Sequence, residues 1–176
     1  MCLPVSPQFV QFEQSDMVTI LNRHNYWRAN VNPRPRSPLP ALRWDRDLAR
    51  TAAGWASQCN MGHDEGSNRA LPNRGPNGPA WQWVGQNICY SWGYSQSWTE
   101  CIDNWADERK DWAYGRGQVG NGQIGHYTQL IWQDTLFVGY DFQLFFLKNM
   151  KMMFSRCAKA YCRGGTEYKL VGLNAY

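Results

Sequence analysis

The sequence predicts an α+β domain in which helices pack on a small antiparallel sheet. Three segments with helical patterns come first, and three strand candidates follow from about residue 126 onward. Helices that are followed by a run of strands are typical of α+β domains. The 176 residues suit one domain with a hydrophobic core, and 10 Trp, 9 Tyr and 7 Phe supply large side chains for that core.

The first helix is predicted to begin at Ser15, a suitable N-cap residue, after an N-terminal arm over residues 1–14. Five residues then recur at helical spacing: Met17, Ile20, Leu21, His24 and Arg28. The segment NPRPRSPLP at 32–40 cannot continue a helix, because its four prolines lack backbone donors. The second helix has the clearest pattern. Asp45 and Asp47 lie in its first turn, and its apolar face contains Trp44, Leu48, Ala52, Trp55, Ala56 and Cys59.

The third helix begins at a capping box, Ser97-Trp98-Thr99-Glu100. Its apolar face is formed by Trp98, Cys101, Ile102, Trp105 and Trp112. Glu108 falls on this face, whereas the other side of the helix carries residues expected to face water, namely Asp103, Asp107, Lys110 and Asp111. A buried carboxylate is costly without a partner. The simplest expectation for Glu108 is therefore a salt bridge or a hydrogen bond to a buried amide.

The segment GRGQVGNGQIG at 115–125 lacks the Lys-Ser/Thr ending of a phosphate-binding loop and is expected to be a flexible connection. Three strand candidates follow at 126–133, 136–147 and 151–159, with a turn at 148–151. In the first of them, alternation would place one set of residues on a common face: His126, Thr128, Leu130 and Trp132. A single domain is thus expected over residues 15–165, followed by a C-terminal tail at 166–176.

Charge and cysteine content exclude several classes of protein. The net charge is +4 and the basic residues are scattered, so no nucleic-acid partner is expected. The six cysteines form no CxxC pair, which argues against a zinc ribbon or a thioredoxin site and favours a secreted protein with disulfide bonds. The first residues lack the features of a signal peptide, which leaves either a removed signal or an intracellular chain. No apolar run is long enough to span a membrane.

Three histidines, His24, His63 and His126, are the candidates for a metal or catalytic site. His24 lies within the first helix, where a satisfied core or surface histidine is the simplest interpretation. His63, His126 and Glu108 would be a minimal set for holding a divalent ion such as Zn²⁺ with an open position. They would equally be a minimal acid–base set. Spacing alone does not establish that these side chains meet.

The run GHYTQLIW at 125–132 resembles the signature of the CAP superfamily, which contains cysteine-rich secretory, antigen 5 and pathogenesis-related 1 proteins. Its first five residues are Gly125, His126, Tyr127, Thr128 and Gln129. Further segments resemble the family in the same order: ILNRHNYWR at 20–28, LRWDRDLARTAAGWASQC at 42–59, His63, VGQNI at 84–88 and WADERKDWAYG at 105–115. The resemblance implies a three-layer α-β-α sandwich with a small antiparallel sheet and a large central cleft.

The family's cleft carries two His and two Glu, and the matching positions here are His63, Gln86, Glu108 and His126. By resemblance, the two histidines bind a divalent ion, usually zinc, and the acids flank it. Gln86 keeps an acceptor oxygen but cannot ionise. Zinc is therefore expected to bind more weakly than in members with both acids, and Glu108 is the candidate catalytic residue.

The cysteines depart from the family pattern. The family usually has Cys where this chain has Tyr140, and its closing signature is poorly kept at 156–168. The usual disulfide set cannot form intact, which leaves Cys157 or Cys162 as a partner for Cys59.

Two further cysteines, Cys89 and Cys101, lie where the family does not usually have them. We hypothesise a local bridge between these two residues. Cys2, in the arm, is expected to be free or to form an intermolecular bond.

The resemblance implies a secreted, extracellular protein that is a binding or signalling module rather than an enzyme, with a sterol, a fatty acid or a cell-surface protein as its partner. The alternative is a metal-dependent hydrolase in which His63 and His126 hold the ion and Glu108 acts as base towards a bound water. The missing second acid and the lack of a third firm ligand argue against this alternative. A structural or regulatory role, inside or outside the cell, is a third possibility.

Overall fold

The computed structural model describes residues 14–56, 58, 62–65, 84–92, 96–146 and 166–175, and for 91–92, 141–146 and 166–175 it describes the backbone. Its helices are α1 (Gln14–Ala29), α2 (Arg46–Ala56), α3 (Trp98–Asp107) and α4 (Gly125–Leu130), and a 3₁₀ helix (Glu108–Asp111) continues α3. Its strands are β1 (Arg43–Trp44), β2 (Val84–Trp92), β3 (Trp112–Ala113), β4 (Gly117–Gln118), β5 (Phe137–Phe146) and β6 (Thr166–Ala175).

Four strands form one sheet in the order β1-β5-β6-β2. β1 is parallel to β5, whereas β6 is antiparallel to both of its neighbours. The short β3 and β4 form a separate antiparallel hairpin. α2 packs on β5 and β6, and α1 packs on α3. Helices on a small, mainly antiparallel sheet confirm the predicted α+β class.

The predicted strand at 126–133 is wrong, because Gly125–Leu130 form the six-residue helix α4. Burial falls on Tyr127 and Leu130, which lie three residues apart as on a helix face, and not on alternate residues. The backbone N–H of Tyr127 also donates to the Glu108 carboxylate, a long-range contact that favours the helix and that local pattern cannot reveal.

The strand predicted at 136–147 is confirmed as β5. Residues 166–175, expected to belong to a C-terminal tail, instead form β6 in the interior of the sheet, where Leu173 pairs with Gln86 on β2 and with Gly139 on β5. A strand with partners on both sides has its backbone groups paired along both edges, which a free tail would lack. The strand candidate at 151–159 and the turn at 148–151 lie outside the described residues.

Ser15 lies within α1 (Gln14–Ala29) and is therefore not its N-cap. α1 packs on α3 through Asp103, which was expected to face water but is only 33% exposed. Arg23 Nη2 donates to Asp103 at 2.7 Å and Trp27 Nε1 donates at 2.8 Å. The acidic side of α3 is therefore partly covered by α1.

Arg28, near the end of α1, is 2% exposed. Its guanidinium donates to four backbone carbonyls, those of Pro40, Leu130, Trp132 and Thr135, over distances of 2.8 to 3.1 Å. Burial lowers the pKa of Arg28 to about 10. The side chain consequently joins α1 to the loop before β1 and to the chain that leaves α4.

The start of α2 is fixed by Asp45, whose Oδ1 accepts from the backbone N–H groups of Asp47 and Leu48, each at 2.9 Å. This is the hydrogen-bond pattern of an N-cap. Leu48, Ala52 and Ala56 are buried, as the periodicity predicts. Trp44, placed on the same helix by the sequence pattern, belongs to β1.

The capping box at the start of α3 is confirmed, because Ser97 and Glu100 bond reciprocally, side chain to backbone. The hypothesised bridge is also present: Cys89 on β2 and Cys101 on α3 form a disulfide. The Gly-rich segment is not simply a flexible connection, because Gly115 and Gly117, with φ of 75° and 71°, turn the chain between β3 and β4.

His24 is fully buried and satisfied, which confirms its interpretation as a core histidine. Its Nδ1 lies 2.9 Å from the Ile20 carbonyl oxygen, which can only accept, so Nδ1 carries the hydrogen. Nε2 is then the acceptor for the Tyr140 hydroxyl, 2.7 Å away. This pair links α1 to β5 in the core.

We predict that this pair makes the fold sensitive to acid. Burial lowers the pKa of His24 from 6.5 to about 4, and the nearby Arg28 charge acts in the same direction. The unfolded state therefore binds the proton first as pH falls. Stability that is fully present above about pH 6.5 should decline towards pH 4, by about 3 kcal/mol at that point.

The measurement is the free energy of unfolding from urea titrations between pH 7 and pH 4, for wild type and His24→Gln. The variant is less stable at pH 7 but lacks this titration, so the difference between the two proteins should shrink with falling pH. A difference that stays constant over this range would contradict the assignment.

Candidate functional site

The first half of the candidate site is the contact between Glu108 and His126. Glu108 begins the 3₁₀ helix, and its side chain is 13% exposed, as its place on the apolar face predicts. His126 Nδ1 lies 2.6 Å from Glu108 Oε1. The backbone N–H of Tyr127 donates to Glu108 Oε2 at 3.0 Å. One carboxylate therefore orients the imidazole of His126 and also satisfies a free N–H in the first turn of α4.

This second role explains how α4 can begin where it does. Ile124, at the N-cap position, provides no capping side chain. Glu108 supplies the missing acceptor from another element, at the end of a helix that favours negative charge. The ring of His126 also stacks on the buried indole of Trp105, with centroids 5.9 Å apart and planes inclined by 20°. The imidazole is thus held at its edge and on one face.

The second half of the site is the contact between His63 and Gln86. Gln86 lies on β2 and is 8% exposed, whereas His63 is exposed. His63 Nδ1 and Gln86 Oε1 are 2.7 Å apart. An amide oxygen can only accept, so Nδ1 of His63 is the donor in this contact. Gln86 thus holds its histidine as Glu108 does, but with a neutral group.

Strand β2 connects the two halves. Asn87, next to Gln86, is 1% exposed and donates through Nδ2 to the backbone oxygen of His126 at 3.1 Å. Gly85, on its other side, lies against the amide of Gln129, whose atoms fill the space that a Cβ at position 85 would need. Three successive residues of β2 therefore contact the site. Gly85 packs against α4, Gln86 is hydrogen-bonded to His63, and Asn87 is hydrogen-bonded to the backbone of His126 in α4.

The four predicted cleft residues are thus present as two pairs, each with a histidine whose Nδ1 is engaged. Neither Nε2 has a hydrogen-bond partner among the residues that the structure describes. Within those residues, no group of three or more His, Cys, Asp or Glu side chains is arranged to hold a metal. The chemistry of each histidine on its own is that of a zinc ligand with Nε2 as the donor atom, because zinc-binding histidines commonly donate their other N–H to a carboxylate or carbonyl oxygen. Glu108 contacts Nδ1 of His126 and not Nε2.

Sequence reasoning from residue types alone missed Asn87 and Trp105. Trp105 could have been found, because it lies three residues before Glu108 on the same helix face. Asn87 carries no local signal, since its partner lies 39 residues away along the chain. No helix in the described part of the chain is long and apolar enough to cross a membrane.

Comparison with other sequences identifies relatives over most of this chain. Residues 21–144 match the profile of the cysteine-rich secretory protein family, CAP. Cysteine-rich secretory protein 2 of Homo sapiens is 35% identical over 121 residues, which cover 68% of this chain and 45% of that protein. Venom allergen 5 of Vespa velutina is 32% identical over 140 residues, which cover 72% of this chain and 64% of that protein. The chain spans less than half the length of the cysteine-rich secretory proteins that it matches.

Solved structures support the fold. The structure of Schistosoma mansoni venom allergen-like protein 4 is similar with a TM-score of 0.61 and 20% identity, over 93% of this chain and 89% of that one. The crystal structure of NaASP2 with Zn²⁺ is similar with a TM-score of 0.60 and 17% identity, over 97% of this chain and 83% of that one. At these identities the likeness concerns the fold alone.

The dual role of Glu108 predicts a graded loss of stability. Glu108→Ala should lower the free energy of unfolding by about 1–2 kcal/mol, because α4 loses its cap and the ring of His126 loses its partner. Glu108→Gln should cost less, since one oxygen remains to accept. Denaturant titrations at pH 7 would measure both.

The matched control is Asp107→Asn, one residue earlier, where the side chain is 63% exposed and pairs with Arg109 at the surface. That change should stay within about 0.5 kcal/mol of wild type. Equal losses at positions 107 and 108 would contradict the capping role.

Proposed function

Since this chain belongs to the cysteine-rich secretory protein (CAP) family, we propose that it is a secreted binding or signalling protein and not an enzyme. We propose further that His63 and His126 hold a divalent ion, usually zinc in this family, and hold it weakly. The observation that best supports a binding role over catalysis is that the carboxylate of Glu108 is already engaged in the structure. Both of its oxygens accept hydrogen bonds that orient His126 and start α4.

A hydrolase would need a base towards a metal-bound water. Glu108 is the candidate, but taking up a proton would weaken its contacts with His126 and with the Tyr127 N–H. Gln86, at the second acid position, cannot take the role, because an amide does not ionise. The alternative of a metal-dependent hydrolase is therefore less well supported than a binding function.

Weak metal binding is expected because only one of the two histidines has a negatively charged partner. An ionised carboxylate behind a zinc-binding imidazole makes the ring a better ligand, and a neutral amide does so less. His126 has the carboxylate and His63 has the amide. The crystal structure of NaASP2 with Zn²⁺ supports zinc as the ion to test first. If the two Nε2 atoms held the ion, it would supply a positive charge and would keep coordination positions open for a ligand.

The ligand that we propose first is a sterol or a fatty acid, which the family resemblance implies, and a cell-surface protein is the second candidate. The secreted location is supported by the relatives, which are named as secretory proteins and venom allergens. The Cys89–Cys101 disulfide supports it as well, since disulfides persist in oxidising compartments.

The metal proposal predicts that Gln86→Glu binds zinc about tenfold more tightly than wild type, because the second carboxylate is restored. Competition against a chromophoric chelator would measure the affinity. His63→Ala and His126→Ala should each abolish competition. Gln133→Glu is the matched control, because it adds the same charge at an exposed position in the loop after α4. Equal zinc affinities for wild type and Gln86→Glu would contradict the proposal that Gln86 weakens zinc binding.

The choice between binding and hydrolysis predicts the outcome of a second assay. Peptide and ester substrates, with and without chelator, should show no chelator-sensitive turnover, whereas titration with a sterol or fatty acid should give saturable binding. Chelator-sensitive turnover that disappears in Glu108→Gln would instead establish the hydrolase.

A further inference from the structure

The loop that leads into α4 lies directly against Asp111, the last residue of the 3₁₀ helix. The backbone oxygen of Asp111 accepts from the N–H groups of Val119 at 2.8 Å and of Gly120 at 3.3 Å. The carboxylate fills the space beside two glycines. A Cβ at Gly120 would overlap Asp111 Oδ1, and a Cβ at Gly122 would overlap Asp111 Oδ2. Neither glycine has an unusual φ, so the close approach is what distinguishes these positions: a methyl group at either one would have to displace the carboxylate of Asp111.

The 3₁₀ helix (Glu108–Asp111) thus contacts both the loop before α4 and the first turn of α4. Asp111 binds the loop through its backbone oxygen and places its carboxylate beside Gly120 and Gly122, and Glu108 holds the first turn of α4 through Tyr127. Gln118 holds the loop from within, because its Nε2 donates to the backbone oxygens of Gly120 at 3.2 Å and Gly122 at 2.9 Å. The chain is therefore in contact with the 3₁₀ helix both in the loop before α4 and in the first turn of α4.

We propose that Asp111, Gly120 and Gly122 are positioning residues, which place the imidazole of His126 within hydrogen-bond reach of Glu108. The consequence for zinc affinity rests on the proposed function, whereas the placement of the ring does not. Gly125 provides the contrast. It directly precedes His126, yet a Cβ there would meet nothing within 4 Å. A methyl group at Gly125 would therefore meet no neighbour, whereas one at Gly122 would meet the Asp111 carboxylate.

The experiment compares Gly122→Ala with Gly125→Ala, the same substitution three residues apart. Imidazole N–H resonances are recorded by ¹H–¹⁵N NMR on zinc-free protein at neutral pH and assigned with single histidine variants. Wild type and Gly125→Ala should show a downfield, slowly exchanging Nδ1–H signal from His126. Gly122→Ala should lose this signal. The buried Nδ1–H of His24, bonded to the Ile20 carbonyl, should remain in all three proteins and report an intact fold.

A second variant tests whether the cause is steric. Asp111→Ala combined with Gly122→Ala removes the carboxylate that the new methyl group would meet, so the His126 signal should return. If Gly122→Ala loses the His24 signal as well, the fold itself is disturbed and a different variant is needed. Asp111→Glu then provides the test, because it places a longer side chain with the same charge against the unchanged loop. Loss of the His126 signal with retention of the His24 signal is then the supporting result.

Zinc affinity gives the functional readout. Gly122→Ala should bind zinc about 10–100-fold more weakly than Gly125→Ala, the range typical of disturbed contacts behind a metal ligand. An unchanged His126 signal in Gly122→Ala would overturn the positioning role, whatever the zinc result. If wild type binds no zinc but the imidazole signals behave as expected, the metal proposal fails and the positioning role stands.

Discussion

The guanidinium of Arg28 lies in the interior without a carboxylate beside it among the residues that the structure describes. A buried cation in this position would cost several kcal/mol if its donors were unpaired. Its compensation comes from backbone dipoles, because it donates to carbonyls of two separate stretches of chain, at Pro40 and at 130–135. Those carbonyls in turn lie where no regular strand or helix would satisfy them. The charge and the loops stabilise each other, and neither arrangement is favourable without the other.

The helix that carries His126 depends on this interaction. A helix of six residues is too short to be stable by its own hydrogen bonds. α4 is held at both ends instead, at its start by Glu108 and at its exit by Arg28 through the Leu130 and Trp132 carbonyls. Both holding groups come from other helices, so the site inherits its geometry from the packing of α1 and α3. A scaffold of this kind keeps the imidazole of His126 oriented through contacts within the protein alone.

The features that could be predicted are those with a local cause. The capping box at Ser97 and the inward direction of Glu108 follow from residues within one or two turns of each other. α4 could not be predicted in this way, because the contact of Glu108 with Tyr127 spans 19 residues and the helix is too short to show periodicity. Resemblance supplied His63 and Gln86 as a set, but their direct contact across 23 residues is a result of the fold. The place of β6 inside the sheet depends on pairing with two distant strands, which the sequence of that segment does not encode.

The disulfide between Cys89 and Cys101 spans only 12 residues. Closing a loop of this length costs little chain entropy, so the bond can form early in folding, when long-range contacts are still absent. β6 is the opposite case, since Ala175 must reach back to Val84 and Phe137. In an oxidising solution the disulfide keeps β2 joined to α3 whether or not β6 is in place. In reducing surroundings this link is lost, and the two parts of the site, on β2 and after α3, then keep only their non-covalent contacts.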